Sequence, residues 1–332
     1  MQTLGLILLV VVALGFDFTN GFHDAANAVA TSISTRAMAP LTALGMAAAL
    51  NVVGALVSTK VAATVGNGII NSPTGTHGLV IVFAALIGGI AWNLLTWALG
   101  LPSSSTHSLI GGLAGAAIGA GSGVKWHGLV SKVVIPMAAS PVIGFGLGFL
   151  LMIGILWAFR RARPGPVNHG FRSAQTLSTA AMSWSHGTQD AQKTMGVITL
   201  ALVATGHLGG FHVPLWVIFS AALAMGVGTL AGGWRIIRTL GNRITTLDPP
   251  RGFAAQSAAS AVLLFSAYAY AMPVSSTHVI TSTVMGAGST RRLLAVRWGV
   301  AREVVLAWVL TIPGAGATAW VVYHLVHALT GR

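Results

Sequence analysis

Ten apolar stretches, each close to the roughly 20 residues that cross a bilayer, follow one another along the chain with short connections. They fall near 3–35, 41–58, 79–99, 103–120 and 133–158, then near 175–206, 214–232, 253–271, 274–289 and 303–328. Lipid offers no water to backbone N–H and C=O groups, so a spanning segment must satisfy them internally, as a helix does. The pattern predicts an all-α polytopic membrane protein. Composition agrees, with 54% hydrophobic and only 7% charged residues among 332, against roughly a quarter charged in soluble domains. No Lys or Arg precedes Arg36, so the first stretch lacks the basic flank of a signal peptide and reads as a membrane element. The absence of cysteine removes disulfides and thiolate chemistry.

A net charge of +13 would suggest nucleic acid in a soluble chain. Here the basic residues sit in short clusters between apolar runs, the signature of membrane topology. No nucleic-acid partner is expected; the bilayer is the partner that the composition demands.

The basic run FRRARPGPVNHGFR at 159–172 divides the ten stretches into five and five. Two motif pairs recur across that divide. Asn20-Gly21-Phe22-His23-Asp24-Ala25 is mirrored by His186-Gly187-Thr188-Gln189-Asp190-Ala191, and Pro102-Ser103-Ser104-Ser105-Thr106-His107 by Pro273-Val274-Ser275-Ser276-Thr277-His278. Their offsets, 166 and 171, are nearly equal, which indicates an internal repeat. The predicted organisation is a first transmembrane repeat at 1–158, a basic linker at 159–174 and a second repeat at 175–332. An odd number of crossings per repeat inverts the second relative to the first. With the N-terminus outside, 13 of the 18 basic residues become cytoplasmic, as the positive-inside rule requires. Both termini are therefore expected outside and the 159–172 loop in the cytoplasm of a multi-pass cell-membrane protein. Two inverted-topology repeats whose broken or half-helices meet near the bilayer midplane form a carrier architecture; the Pro-led stretches at 103–120 and 274–289 either span or re-enter.

Within the first stretch, Asp17, Asn20, Asp24 and Asn27 lie at i, i+3, i+7 and i+10, one face of a helix. The matching positions are Ser183, His186, Asp190 and Lys193. A carboxylate at membrane depth costs several kcal/mol and persists only beside a cation, a proton or water. The chain has five acidic residues, and two of them, Asp24 and Asp190, occupy equivalent repeat positions. A lone Asp beside a Lys could be a structural pair; a duplicated one reads as an ion or proton site. In the second motif, Ser104, Ser105 and Thr106, and equally Ser275, Ser276 and Thr277, open an apolar stretch. Free N–H groups, the positive helix end and neutral hydroxyls at such a start suit an anion. Two of these starts facing each other could enclose a tetrahedral oxyanion. His107 and His278 close the motifs as either ligands or orienting neighbours.

GFDFTNGFHDAANAVAT at 15–31, WNLLTWALGLPSSSTHSLIGG at 92–112, SWSHGTQDAQKTMG at 183–196 and AMPVSSTHVITSTVMGAG at 271–288 resemble the inorganic phosphate transporter family (PiT), most closely its bacterial low-affinity Pit branch. The resemblance implies inverted repeats and symport of phosphate with a driving cation by alternating access. It implies phosphate between Ser104-Ser105-Thr106 and Ser275-Ser276-Thr277, and cation-linked roles for Asp24, Asn27 and Asp190. Sodium-coupled members read Asn-Asp followed by a further Asn. Here His23 and Gln189 precede the aspartates, and Lys193 stands where the first half has Asn27. An ammonium excludes sodium by charge, and an imidazole such as that of His23 suits a proton relay, so protons are favoured over sodium as the coupling ion. Gln189 keeps the amide of the family's Asn at longer reach. Asp17, Asn20 and His186 are secondary candidates on the same stripes.

No resident metal or cofactor is expected, beyond the driving cation. The cargo is either free phosphate or its complex with a divalent metal, and a homodimer fits such a carrier. Competing readings are a sulfate symporter of the same architecture and a passive anion channel. An intramembrane hydrolase is disfavoured, because the serines lack a Gly-x-Ser-x-Gly setting and catalysis gives no reason for duplication.

Overall fold

A computed structural model of the chain describes residues 2–71 and 74–330; Arg332, one of the basic residues counted above, lies outside the described residues. The first half comprises α1 (Gln2–Ser34), α2 (Pro40–Ala55), α3 (Lys60–Gly68), α4 (Gly75–Leu99), α5 (Ser105–Gly119), α6 (Trp126–Leu129) and α7 (Ile135–Ala158). The second comprises α8 (Pro164–Ala204), α9 (Leu215–Ala231), α10 (Trp234–Arg238), α11 (Pro249–Tyr270), α12 (Ser276–Ser289) and α13 (Trp298–Thr330). Among the described residues, five helices are long and apolar enough to cross a membrane, or seven if each of two bent pairs counts as one span. Their outward faces carry Leu41, Val142, Leu150, Leu215 and Leu223, each more than 60% exposed, an apolar surface that lipid rather than water must cover.

Three features depart from the sequence-based expectation. The stretches expected at 41–58 and 214–232 end early and turn: α2 meets the start of α3 at 78°, and α9 meets the segment Trp234–Arg243 at 60°. The helix expected from 175 starts earlier, at Pro164, which occupies the first turn of α8, where a missing N–H costs nothing. Most of the basic run is thus helical, and α8 extends over 41 residues.

The two halves interleave. At the centre, α1 packs on α9 and α8 on α2, so each polar-striped helix lies against a helix of the other half. One flank joins α4 and α5 to α13; the other joins α11 and α12 to α7. Each flank therefore borrows its long helix from the opposite half. Glycine makes the central crossings possible. A Cβ on Gly21 would collide with the backbone of Met225 and Thr229, and one on Gly187 with the backbone of Asn51. Close backbone approach through small residues is the usual adhesive between helices in lipid, where the hydrophobic effect no longer discriminates. Replacing Gly187 with Leu is expected to cost at least the roughly 1–3 kcal/mol of an overpacked core. A lowered melting temperature and loss of the monodisperse peak in size-exclusion chromatography would register it; unchanged behaviour of Gly187→Leu would show that the crossing is loose.

Candidate functional site

The stripe on α1 is wholly inside the protein: Asp17, Asn20, Asp24 and Asn27 are each at most 1% exposed, as are His186, Asp190 and Lys193 on α8. Helical periodicity delivers them together, since residues three, four and seven apart share a face. Opposite them begin α5 and α12. Each is reached through a short extended segment after its partner helix, and each starts in the interior rather than at a surface. At 15 and 14 residues they cover about 20 Å at 1.5 Å per residue, too little to cross the roughly 30 Å core. They are half-helices.

Ser104 and Ser275 are their N-caps, whose hydroxyls accept from the backbone N–H of His107 and His278 at 3.2 Å. Such a cap contributes about 1 kcal/mol and fixes where the helix starts. Of the next two residues of each helix, Ser105, Ser276 and Thr277 face the carboxylates. Ser105 donates to Asp24 Oδ2 at 2.7 Å and Thr277 to Asp24 Oδ1 at 3.3 Å, while Ser276 donates to Asp190 Oδ2 at 3.3 Å.

Asn27 and Lys193 complete a reciprocal arrangement. Asn27 Nδ2 donates to Ser276 at 3.2 Å and Thr277 at 2.9 Å, on the half-helix of the other half. Lys193 Nζ does the same in reverse, to Ser105 at 2.8 Å and Thr106 at 3.1 Å. The lysine also pairs with Asp190 at 3.2 Å.

Each carboxylate has an imidazole beside it. His23 Nδ1 lies 2.8 Å from Asp24 Oδ1, and His186 Nε2 lies 3.0 Å from Asp190 Oδ2. Behind His23, Nε2 is 3.1 Å from Thr96 Oγ1, which in turn is 2.7 Å from Ser103 Oγ. Behind His186, Nδ1 is 3.3 Å from Asn51. Asp24, His186 and Asp190 offer ligand atoms within 4.8 Å of one another, close enough to share a cation. Two carboxylates against one ammonium leave one negative charge in a buried site. A proton on an imidazole or carboxyl, or a bound cation, must cancel it.

The remaining candidates stand apart. Gln189 turns away, its amide donating to Ser266 at 2.7 Å and to the Leu263 carbonyl at 3.1 Å on α11. His107 and His278 pack on each other edge to face, with ring centroids 4.8 Å apart, and His278 stacks on Trp308 at 4.0 Å. Asp17 and Asn20 lie further towards the start of α1 and make no hydrogen bond to this network. Thr96, Ser103 and Asn51 were not singled out by the sequence. Thr96 and Ser103 lie inside the quoted 92–112 motif, but no spacing rule connects them to His23.

A multi-pass helical protein with ionisable side chains buried between two half-helix starts has the architecture of membrane transporters. Comparison with known proteins names the kind. The sequence profile of the phosphate transporter family matches twice, at residues 20–166 and 160–319, and the chain belongs to that family. It is 47% identical to a protein of Mycobacterium bovis over all of this chain and 80% of the other. It is 42% identical to one of Bacillus subtilis over 97% of both chains. Each of those relatives is named a probable low-affinity inorganic phosphate transporter. Among solved structures, the fold matches "The sodium-dependent phosphate transporter" with a TM-score of 0.87 over 98% of this chain and 99% of the other, at 24% identity. The hydrolase reading falls with this membership.

Proposed function

We propose that the chain imports inorganic phosphate together with protons by alternating access across the cell membrane. The observation that carries the proton reading is Lys193, whose ammonium sits on Asp190 and on the Ser105 and Thr106 hydroxyls. A sodium ion would need those same oxygens. A tethered cation therefore stands in one half of the site, and His23, with Thr96 and Ser103 behind it, offers a proton path in the other.

Phosphate docks between the starts of α5 and α12, where Ser105, Thr106, Ser276 and Thr277 turn their hydroxyls from the carboxylates to the anion. Lys193 lies within reach to follow. Protons on His23 and on the Asp24 or Asp190 carboxyls offset the incoming charge, so the loaded site approaches neutrality and can close. The flanks then rock about the central helices, and release follows the lower proton potential inside. Both termini lie outside and the 159–172 segment inside.

Sulfate shares the geometry, yet it carries no proton at neutral pH to donate to Asp24 or Asp190, which favours phosphate. A passive channel would not accumulate its anion. Labelled phosphate uptake into proteoliposomes separates these readings. Concentrative uptake under an inward proton gradient without sodium is expected. Uptake that requires sodium would overturn the coupling ion, and sulfate uptake without phosphate uptake would overturn the cargo. Adding and chelating magnesium in the same assay separates free phosphate from a metal–phosphate complex.

The double change Ser276→Ala, Thr277→Val removes two hydroxyls facing the site and leaves the Ser275 cap. A rise of roughly tenfold in apparent KM is expected, the equivalent of about 1.4 kcal/mol. An unchanged KM would move the anion elsewhere.

A further inference from the structure

Asp17 is the buried acid that this scheme does not use. It is 0% exposed, it belongs to the α1 stripe, and its nearest donors, Asn20 and Thr194, face it without reaching full hydrogen-bond geometry at either carboxylate oxygen. Asn20, one turn on, is equally buried, and both of its amide atoms are without partners. Thr194 of α8, which faces Asp17 together with Asn20, also has an unpartnered hydroxyl. Buried polar groups are nearly always satisfied, and each exception calls for a cause.

The second half shows that the fold does not require a carboxylate here. Position 183, the counterpart of 17, is a serine that donates to the Thr179 carbonyl of its own helix at 2.7 Å. Position 186, the counterpart of 20, is a histidine engaged with Asn51 and Asp190. Both counterparts are satisfied, whereas Asp17 and Asn20 are not.

We propose that Asp17 is a proton-binding station of the carrier, separate from the anion site and next to it on the same helix. A bare carboxylate in this position would bear the full penalty of an unpaired buried charge, which one proton removes. A metal ion fits less well. Hard cations take about six or more oxygens, and Asp17, Asn20 and Thr194 together supply four. Seven residues separate Asp17 from Asp24, about 10 Å along the axis. With the outward N-terminus proposed above, Asp17 lies on the outer side of the site.

The charged groups that face Asp17 are Lys193 and Asp190, both on α8. The neighbouring helices α2 and α9 carry no titratable side chain, and the one on α4, His77, is engaged by Tyr323. On α10, Arg235 lies beside Trp97 and donates to the Ala98 carbonyl. Thus the proton on Asp17 is sensed by the same lysine that pairs with Asp190.

This assignment rests on the proton-coupled reading for its role in transport, but not for proton binding itself. Purified carrier in lipid is compared as wild type, Asp17→Asn and Asp17→Glu, by infrared spectroscopy across pH and by proteoliposome flux. Expected is a titrating carboxylic-acid C=O band in the wild type that Asp17→Asn removes and Asp17→Glu shifts. In the same variants, proton-driven accumulation falls about tenfold or more in Asp17→Asn, while gradient-free exchange of labelled for unlabelled phosphate persists, because an amide resembles the protonated acid. A band that Asp17→Asn leaves intact overturns the assignment, as does equal loss of exchange and accumulation, which marks a structural role. A band that disappears in Asp17→Asn, in a carrier whose wild type ignores proton gradients, supports proton binding and refutes the coupling reading alone.

Discussion

Asp24→Asn is expected to reduce concentrative phosphate uptake on the order of 100-fold, about 2.7 kcal/mol, in a carrier that still inserts and elutes like the wild type. The substitution keeps shape and volume, so the packing of α1 against α9 is untouched. What it removes is the charge that gathers the site. Asp24 accepts from Ser105 of one half-helix and Thr277 of the other and holds His23 at 2.8 Å. An amide mimics the protonated acid but cannot bind or release a proton, so the charge of the site no longer changes through the cycle and the proton gradient cannot drive loading. Uptake at the wild-type level in Asp24→Asn would remove the central carboxylate from the mechanism. Thermal stability and size exclusion, measured on the same preparation, separate loss of transport from loss of folding.

The second large effect concerns the asymmetry between the halves. Lys193→Asn makes position 193 match Asn27 and takes the ammonium away from Asp190. Removing one member of a buried ion pair costs about 3–5 kcal/mol when nothing replaces it. Here a sodium ion can replace it, because Asp190, the new amide oxygen and the Ser105 hydroxyl would all be free to bind one. The expected result is loss of proton-driven uptake with appearance of sodium-stimulated uptake, and a melting temperature that rises with sodium in the variant but not in the wild type. Lys193→Met supplies the control: it removes the charge without offering an oxygen, so neither gradient should drive it. If Lys193→Asn retained proton-driven uptake and ignored sodium, the lysine would be a structural partner of Asp190 only.

Gln189 and the two capping serines show why the linear pattern groups residues that the fold sets to different tasks. Gln189 precedes Asp190 as His23 precedes Asp24, so the linear pattern assigns both to one task. In the folded chain His23 bridges Asp24 and Thr96, whereas Gln189 is committed to α11 through Ser266. The extra methylene carries its amide past the site. Ser104 and Ser275 head the Ser/Thr runs and were grouped with the anion donors, yet their position just before the first helical turn makes them caps. A one-residue difference in where a half-helix starts decides which hydroxyls face the carboxylates, and element boundaries are the least legible feature of a sequence.

The sequence alone determined the features that follow from local periodicity and from the cost of polarity in lipid. Long apolar runs had to be helices, because lipid leaves the backbone no other partner. The i, i+3, i+7 spacing placed Asp17, Asn20 and Asp24 on one face. A duplicated carboxylate inside apolar stretches required a compensating partner, because its desolvation is costly. Only the tertiary structure decided who meets whom. That Asn27 reaches Ser276 and Thr277, that Lys193 reaches Ser105 and Thr106, and that Asp17 is left without a full hydrogen bond depend on glycine-mediated crossings that join helices far apart in the chain. No spacing along the sequence encodes those distances; they arise when the two halves interleave and each polar stripe is closed by a half-helix of the other.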